Sequence, residues 1–386
     1  MGSATGSPAT PRFEANLHSL SRMEAAAPLD RLERPLGVLR LSLTARCNLA
    51  CPYCLPDGQE PAGLLSLDQR LAVIAAAVDL GAHTLRLTGG EPLLNPELEA
   101  LISSVQPLRH RGLRDIALTS NGSLLSFERA QRLKQAGLDR LTLSLDGANG
   151  TSVAQMAGLG SRPGDPVPGD SAQLEARGAA LLSKVLAALD HARKAGFDPA
   201  QGRLKLNAVI QRGQNDDQLL PLAELARNRG VELRLIEFMD VGNRNGWHND
   251  AVISAAEMVE RIGRRWPMDP LGRDPNGTAG RWRFRDGAGT IAVVASVSAP
   301  FCGDCNRLRV TADGVAYTCL FAAPGTGLDL RPWLQQSSSQ HDLTNQLTSL
   351  WRNRGDRYSE ERQSIRAMAN PELAPHRRAE MAYLGG

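Results

Sequence analysis

From Val38 to Met239 the chain alternates short apolar runs with longer stretches whose apolar residues recur every three or four positions. The short runs, rich in Leu, Val and Ile, predict strands over 39–44, 84–88, 115–119, 140–145, 204–210 and 232–237. The longer stretches predict helices over 67–80, 96–109, 126–135, 179–195 and 217–228. Near-continuous apolar strands separated by helices point to a parallel sheet covered on both faces. Six such units make an α/β fold, an open or partial (β/α)6 barrel, in which ligands gather at the carboxyl ends of the strands.

The rhythm breaks between Ala148 and Arg177, where prolines and glycines accumulate. This predicts an irregular, mobile surface insertion rather than a lid. After Asn245 the pattern is less regular. Residues 281–285 and 290–297 read as a strand pair around the turn Asp286-Gly287, and polar helix-compatible segments follow. The expected organisation is a disordered leader over 1–35, a core barrel over 36–245 and a smaller C-terminal domain over 246–386. The leader opens with small polar residues. It lacks the charged and apolar segments of a secretory signal.

Composition narrows the class. Hydrophobic residues make up 42% and charged residues 22% of 386 positions, as in a water-soluble globular protein. No apolar run is long enough for a bilayer, so no membrane partner is expected. A formal charge of only +3 argues against a general nucleic-acid binder, though it leaves room for a local anion pocket.

The six cysteines fall into two sets of three: Cys47, Cys51 and Cys54, then Cys302, Cys305 and Cys319. Tight clustering favours metal ligation over disulfides. The first set has the spacing C-x3-C-x2-C directly after a strand. Three thiolates can hold three irons of a four-iron cluster and leave the fourth open to a small molecule. A zinc knuckle is the alternative, and the absence of a histidine within the second set weakens it there. Other candidates sit at strand ends: Thr88-Gly89-Gly90-Glu91-Pro92, Thr119-Ser120-Asn121-Gly122 and Ser144-Leu145-Asp146-Gly147. Arg40, Arg86, Lys205 and Arg234 are cations flanked by apolar residues within strands. On interior-facing positions of a barrel they would suit a triphosphate.

The C-x3-C-x2-C run, with Tyr53 before its third cysteine, resembles the radical S-adenosylmethionine superfamily. Two three-cysteine sets, Asn306-Arg307-Leu308-Arg309, Glu237-Phe238-Met239-Asp240 and a terminal Gly385-Gly386 together resemble the molybdenum cofactor biosynthesis protein A family, the GTP 3',8-cyclases, over about residues 36–386. The resemblance implies two [4Fe-4S] clusters, one on Cys47, Cys51 and Cys54 and one on Cys302, Cys305 and Cys319. It assigns Tyr53, Gly90, Ser144 and Met239 to S-adenosyl-L-methionine, and Arg40, Arg86, Thr119, Lys205, Arg307 and Arg309 to GTP. Arg234 matches a pocket arginine, and the tail, Gly385 and Gly386, matches one that enters the active site. Leu55 departs from the family pattern, which often has Met there. The implied reaction is cyclisation of GTP to (8S)-3',8-cyclo-7,8-dihydroguanosine 5'-triphosphate. The resemblance also implies an electron donor protein, a downstream cyclic pyranopterin monophosphate synthase, a cytoplasmic location and a monomer or homodimer. A radical enzyme that modifies peptides with an auxiliary cluster, and a non-catalytic two-cluster electron carrier, are the rival readings.

Overall fold

The computed structural model describes residues 27–56, 59–160, 171–368 and 378–385. Its centre is a run of parallel strands. β1 (Val38–Ser42), β2 (Thr84–Thr88), β3 (Asp115–Ser120), β4 (Arg140–Ser144), β5 (Leu204–Ile210) and β6 (Glu232–Glu237) pair in chain order. Between them run α1 (Leu67–Asp79), α2 (Leu98–Ser104), α3 (Phe127–Ala136), α4 (Gly150–Met156), α5 (Ser171–Lys194) and α6 (Leu219–Arg229). This is the partial (β/α)6 barrel. The later chain extends the same sheet at both edges. Beyond β6 and α7 (Ala255–Arg265) come β7 (Met268–Arg273), β8 (Gly280–Phe284) and β9 (Thr290–Val294), and β9 pairs parallel to β6. β10 (Arg307–Val310) pairs parallel to β1, and β11 (Val315–Tyr317) and β12 (Leu328–Asp329) follow it antiparallel. The chain continues through α8 (Gln340–Arg352), α9 (Tyr358–Met368) and α10 (Met381–Leu384).

Register explains the core. Leu41, Leu87, Leu118, Leu141 and Leu204 form one row across five strands and are fully shielded from solvent. The helices cover this outer face, and the strand sequence alternates because the inner face lines a polar cavity. Arg309, Arg40 and Arg86 are register partners on the inner side, as are Ser144, Asn207 and Arg234. The expectation of near-continuous apolar strands is therefore corrected to alternation between a buried apolar outer face and a mostly polar inner one.

Several helices start at side-chain caps. Ser66 and Gln69 form a reciprocal capping box on α1, and Ser126, Asn149, Ser254 and Ser339 cap α3, α4, α7 and α8. The helix expected over 96–109 divides into α2 and a 3-10 turn over Gln106–Arg111, where Pro107 has no N–H for an α-helical bond. The irregular insertion expected over 148–177 is helical in its described parts, which leave out 161–170. Gly150 and, just past the segment, Gly178 serve helix contact: a Cβ on Gly178 would lie 1.9 Å from the Gly150 carbonyl oxygen. The leader expected over 1–35 also changes at its end. Residues 1–26 lie outside the described part, but Asp30 and Arg34 are buried and paired.

Two glycine substitutions separate propensity from packing. Gly263 lies in α7, where an added Cβ would meet only Met268 Cε, at an ordinary 3.9 Å, so Gly263→Ala should stabilise by about 0.5–1 kcal/mol. Gly178→Ala must push α5 off α4 and should destabilise by about 1–3 kcal/mol despite the same gain in propensity. Urea midpoints followed by far-ultraviolet circular dichroism should move in opposite directions.

Candidate active site

The inner face of the sheet closes around a cavity of about 320 Å³ that all six cysteines line. The six cysteines are half-buried.

The first set sits on the loop after β1. Cys54 N and Leu55 N both donate to the Cys51 carbonyl at 2.9 Å, and Leu55 accepts a φ of 43° to close this turn. Leu49 N donates to Cys47 Sγ at 3.4 Å, and Asn121 Nδ2 approaches the same sulfur at 3.8 Å. Gly90 faces this loop so closely that a Cβ would lie 2.1 Å from the Arg46 carbonyl oxygen. The Gly-Gly turn after β2 thus docks directly on the cysteine loop. Tyr53 donates to Asp146 Oδ2 at 2.7 Å, and Val209 N donates to the other carboxylate oxygen at 2.8 Å. Burial lifts Asp146 to about 6 against the pull of these bonds. Ser144 and Met239 also line the cavity.

The second set faces it. Cys302 and Cys305 flank a 3-10 turn between β9 and β10, and Cys319 follows β11. Burial raises the Cys51 thiol well above its ordinary value and lifts Cys54 and Cys319 each to about 12. Such thiols become thiolates when a cationic metal centre takes them as ligands. Cys305 runs the other way. Burial raises it, but Arg307 and then Arg354 outweigh that and bring it down to about 7.

Between the two sets stands a wall of guanidinium groups. Arg40, Arg86, Arg234, Arg307 and Arg309 all line the cavity. Burial and then Arg86, Arg309 and Arg307 lower Arg40 well below its usual value. Burial and then Arg234 bring Arg86 to about 9, and burial brings Arg309 to about 10. Arg86 Nε, Arg234 Nε, Arg309 Nη1, Asn207 Oδ1 and Ser296 Oγ are buried and make no hydrogen bond within the protein. Like charge that is only partly offset, together with the unpaired arginine nitrogens, fits a polyanion. The cysteine sets fit two incompletely ligated iron–sulfur clusters by donor chemistry.

Thr119 accepts from Arg86 Nη2 at 3.1 Å and belongs to the lining. Lys205 does not reach the lining; its ammonium pairs with Glu232 at 2.7 Å. Glu232 also approaches Arg234 at 3.5 Å and Arg281 at 3.4 Å. The tail enters the barrel. Gly385 O accepts from Arg40 Nη2 at 2.6 Å, from Arg40 Nε at 3.1 Å and from Thr88 Oγ1 at 3.3 Å. A Cβ on Gly385 would lie 2.3 Å from Thr88 Oγ1, and its φ is +67°. Gly386 lies outside the described residues. Sequence reasoning did not single out Asp146 or Glu232 as site residues. Asp146 lies in Ser144-Leu145-Asp146-Gly147, a strand-end motif that reads as a turn. Glu232 opens a strand two places before Arg234, so its inward direction follows from that arginine's.

The Radical SAM superfamily profile matches residues 41–226, and that of Molybdenum Cofactor Synthesis C matches 231–360. A GTP 3',8-cyclase of Synechococcus sp. (strain CC9902) is 57% identical over 94% of this chain and 99% of its own length. Another, from Xanthomonas campestris pv. campestris (strain B100), is 43% identical over 94% of this chain and 98% of its own. Among solved structures, Streptococcus suis SuiB bound to S-adenosylmethionine superposes with a TM-score of 0.56 at 13% identity, covering 91% of this chain and 77% of that one. That likeness is one of fold. With identity this high over nearly its whole length, the chain belongs to the GTP 3',8-cyclase family of the radical S-adenosylmethionine superfamily.

Proposed function

We propose that this protein cyclises GTP to (8S)-3',8-cyclo-7,8-dihydroguanosine 5'-triphosphate, an early step of molybdenum cofactor biosynthesis. One observation carries the reading for this chain: a single cavity is lined by two three-cysteine sets and five arginines. Cys47, Cys51 and Cys54 hold the first [4Fe-4S] cluster, and Cys302, Cys305 and Cys319 hold the second. With S-adenosyl-L-methionine bound, the first cluster would supply the one-electron oxidant that removes hydrogen from C3' of the ribose so that C3' can join C8 of guanine, and an electron and a proton would then complete the ring.

The chain's own part is to hold the reactants together. Gly90, Ser144, Met239 and Tyr53 shape the S-adenosyl-L-methionine side, with Asp146 fixing the tyrosine hydroxyl. Arg40, Arg86, Thr119, Arg307 and Arg309 bind GTP, with Lys205 and Arg234 in the same charge set. A triphosphate relieves the repulsion among these groups, so its binding energy comes from charges the fold has already ordered. Arg40 joins substrate binding to the tail, because the same guanidinium holds the Gly385 carbonyl. Fixing C3' against C8 in a closed cavity is where positioning supplies most of the rate. A separate protein delivers two electrons, one to cleave S-adenosyl-L-methionine and one to reduce the cyclised radical, and a cyclic pyranopterin monophosphate synthase takes the product. No described helix is long and apolar enough to cross a membrane, and the cytoplasm is the proposed location.

Anaerobically loaded protein should carry about eight irons per chain, and about four once Cys302, Cys305 and Cys319 are all replaced by Ala. Iron and sulfide analysis checks this, and stoichiometric zinc without sulfide would refute it. Arg86→Ala should weaken GTP binding by about 1.5–3 kcal/mol, roughly tenfold to a hundredfold in Kd, with iron content unchanged. Isothermal calorimetry showing native affinity would remove Arg86 from the pocket. Gly385→Ala has no room for its methyl group beside Thr88. It should lower turnover on the order of a hundredfold, with iron content and GTP affinity nearly unchanged. Product quantified by mass spectrometry at the native rate would make the tail dispensable.

A further inference from the structure

Behind the second cysteine set, outside the cavity lining, lies a charge cluster that substrate binding does not use. Asp30, Arg34 and Arg354 are buried, at 6%, 2% and 4% exposure. Asp30 Oδ2 accepts from Arg34 Nε at 2.6 Å and from Arg354 Nη1 at 3.3 Å. Its Oδ1 accepts from Leu32 N and Arg34 N, each at 2.9 Å. The two guanidinium groups then reach the cysteine loop. Arg34 Nη1 donates to the Cys302 carbonyl at 2.6 Å, and Arg354 Nη1 donates to the Cys305 carbonyl. Arg34 Nη1 also meets the Asp356 carbonyl at 3.0 Å. Trp351 completes the packing. Its ring lies 4.7 Å under the Arg354 guanidinium, and its Nε1 donates to Arg34 O at 3.0 Å. Arg34 Nη2 is buried and makes no hydrogen bond within the protein.

Burying two cations and one anion is costly for a purely structural joint, since apolar residues of the same volume would do the work at less expense. The arrangement fixes both cysteines by their backbone, and its three buried groups carry one net positive charge; Asp356, 3.4 Å from Arg354 Nε and 34% exposed, is screened by solvent and offsets it only in part. A nearby buried positive charge favours the reduced, more negative form of an iron–sulfur cluster, and hydrogen bonds around its ligands set their orientation.

We propose that Asp30, Arg34 and Arg354 form a clamp that positions the loop of Cys302 and Cys305 and raises the reduction potential of the second cluster. The clamp rests on the reading that this cysteine set holds a cluster. Its three members are positioning residues, acting through the cysteines.

The test is a redox titration monitored by electron paramagnetic resonance. It uses the full chain carrying Cys47→Ala, Cys51→Ala and Cys54→Ala, so that the signal comes from the second cluster. Arg354→Gln should lower the ratio of reduced to oxidised cluster at a fixed ambient potential about tenfold, a shift of about 59 mV to more negative values for one electron. Asp30→Asn should shift it the opposite way. Arg354→Lys keeps the charge and should hold the potential, while a changed line shape reports the altered bridge that Arg354 Nη1 makes between Cys305 and Asp30. If Arg354→Gln cannot retain iron, Asp30→Asn and Arg354→Lys decide. A purely structural joint would give no opposed shifts. Full iron with unmoved potentials, or shifts of one sign in both charge variants, overturns the clamp alone. Failure of the parent chain to bind iron at all removes the second-cluster reading and the clamp with it.

Discussion

Packing several guanidinium groups inside one sheet is the constraint on which the rest of this structure turns. Arg309, Arg40 and Arg86 sit side by side across three neighbouring strands, and burial makes each a poorer cation than it would be in water. The arrangement is tolerable because the leucine row on the opposite face is fully covered by helices, so the hydrophobic stabilisation lies where the charges do not. Glu232 offsets part of the repulsion at one end of the barrel by pairing with Lys205 and approaching Arg234 and Arg281. At the other end, the Gly385 carbonyl offers Arg40 a neutral acceptor. The remaining charge points into the cavity, where a triphosphate is the complement.

The same logic separates the two cysteine environments. The first set is buried beside a carboxylate, Asp146, and a tyrosine, Tyr53. The second is buried beside arginines, and Cys305 is correspondingly the easier thiol to ionise. Cys51 thus has a carboxylate, and Cys305 two arginines, as the main charges acting on it, which is one way for a single chain to give two sets of like residues different tasks.

Much of this was legible in the order of residues. The central strands are short, alternate in polarity and are separated by helices, three of which open on Ser or Asn caps, so the parallel barrel follows from local patterning. The cysteine spacings and the arginines within strands were equally open to reading, because their chemistry is confined to a few residues. Other features depend on contacts between distant segments. Gly150 and Gly178 look like loop glycines until α4 and α5 are seen to touch through them. Asp30 and Arg34 look like part of a polar leader until their partner Arg354 arrives from the far end of the chain. Lys205 looked like a free cation because Glu232, which neutralises it, belongs to the next strand. The strands β10 to β12 are too short to show a periodicity at all.

The way the sheet is closed also dictates when it can be closed. β1 takes β10 as its outer neighbour, and β6 takes β9. While the protein is being synthesised, the first six strands emerge with both of these edges bare. Unpaired parallel edges are templates for association with other chains, and such distant pairings are slow to form. The segment that covers them also carries Cys302 and Cys305, since both lie between β9 and β10. Protecting the nascent barrel from aggregation and bringing its second set of ligands into place are therefore one late folding event, and a ribosome that stalls before it leaves a sheet with neither.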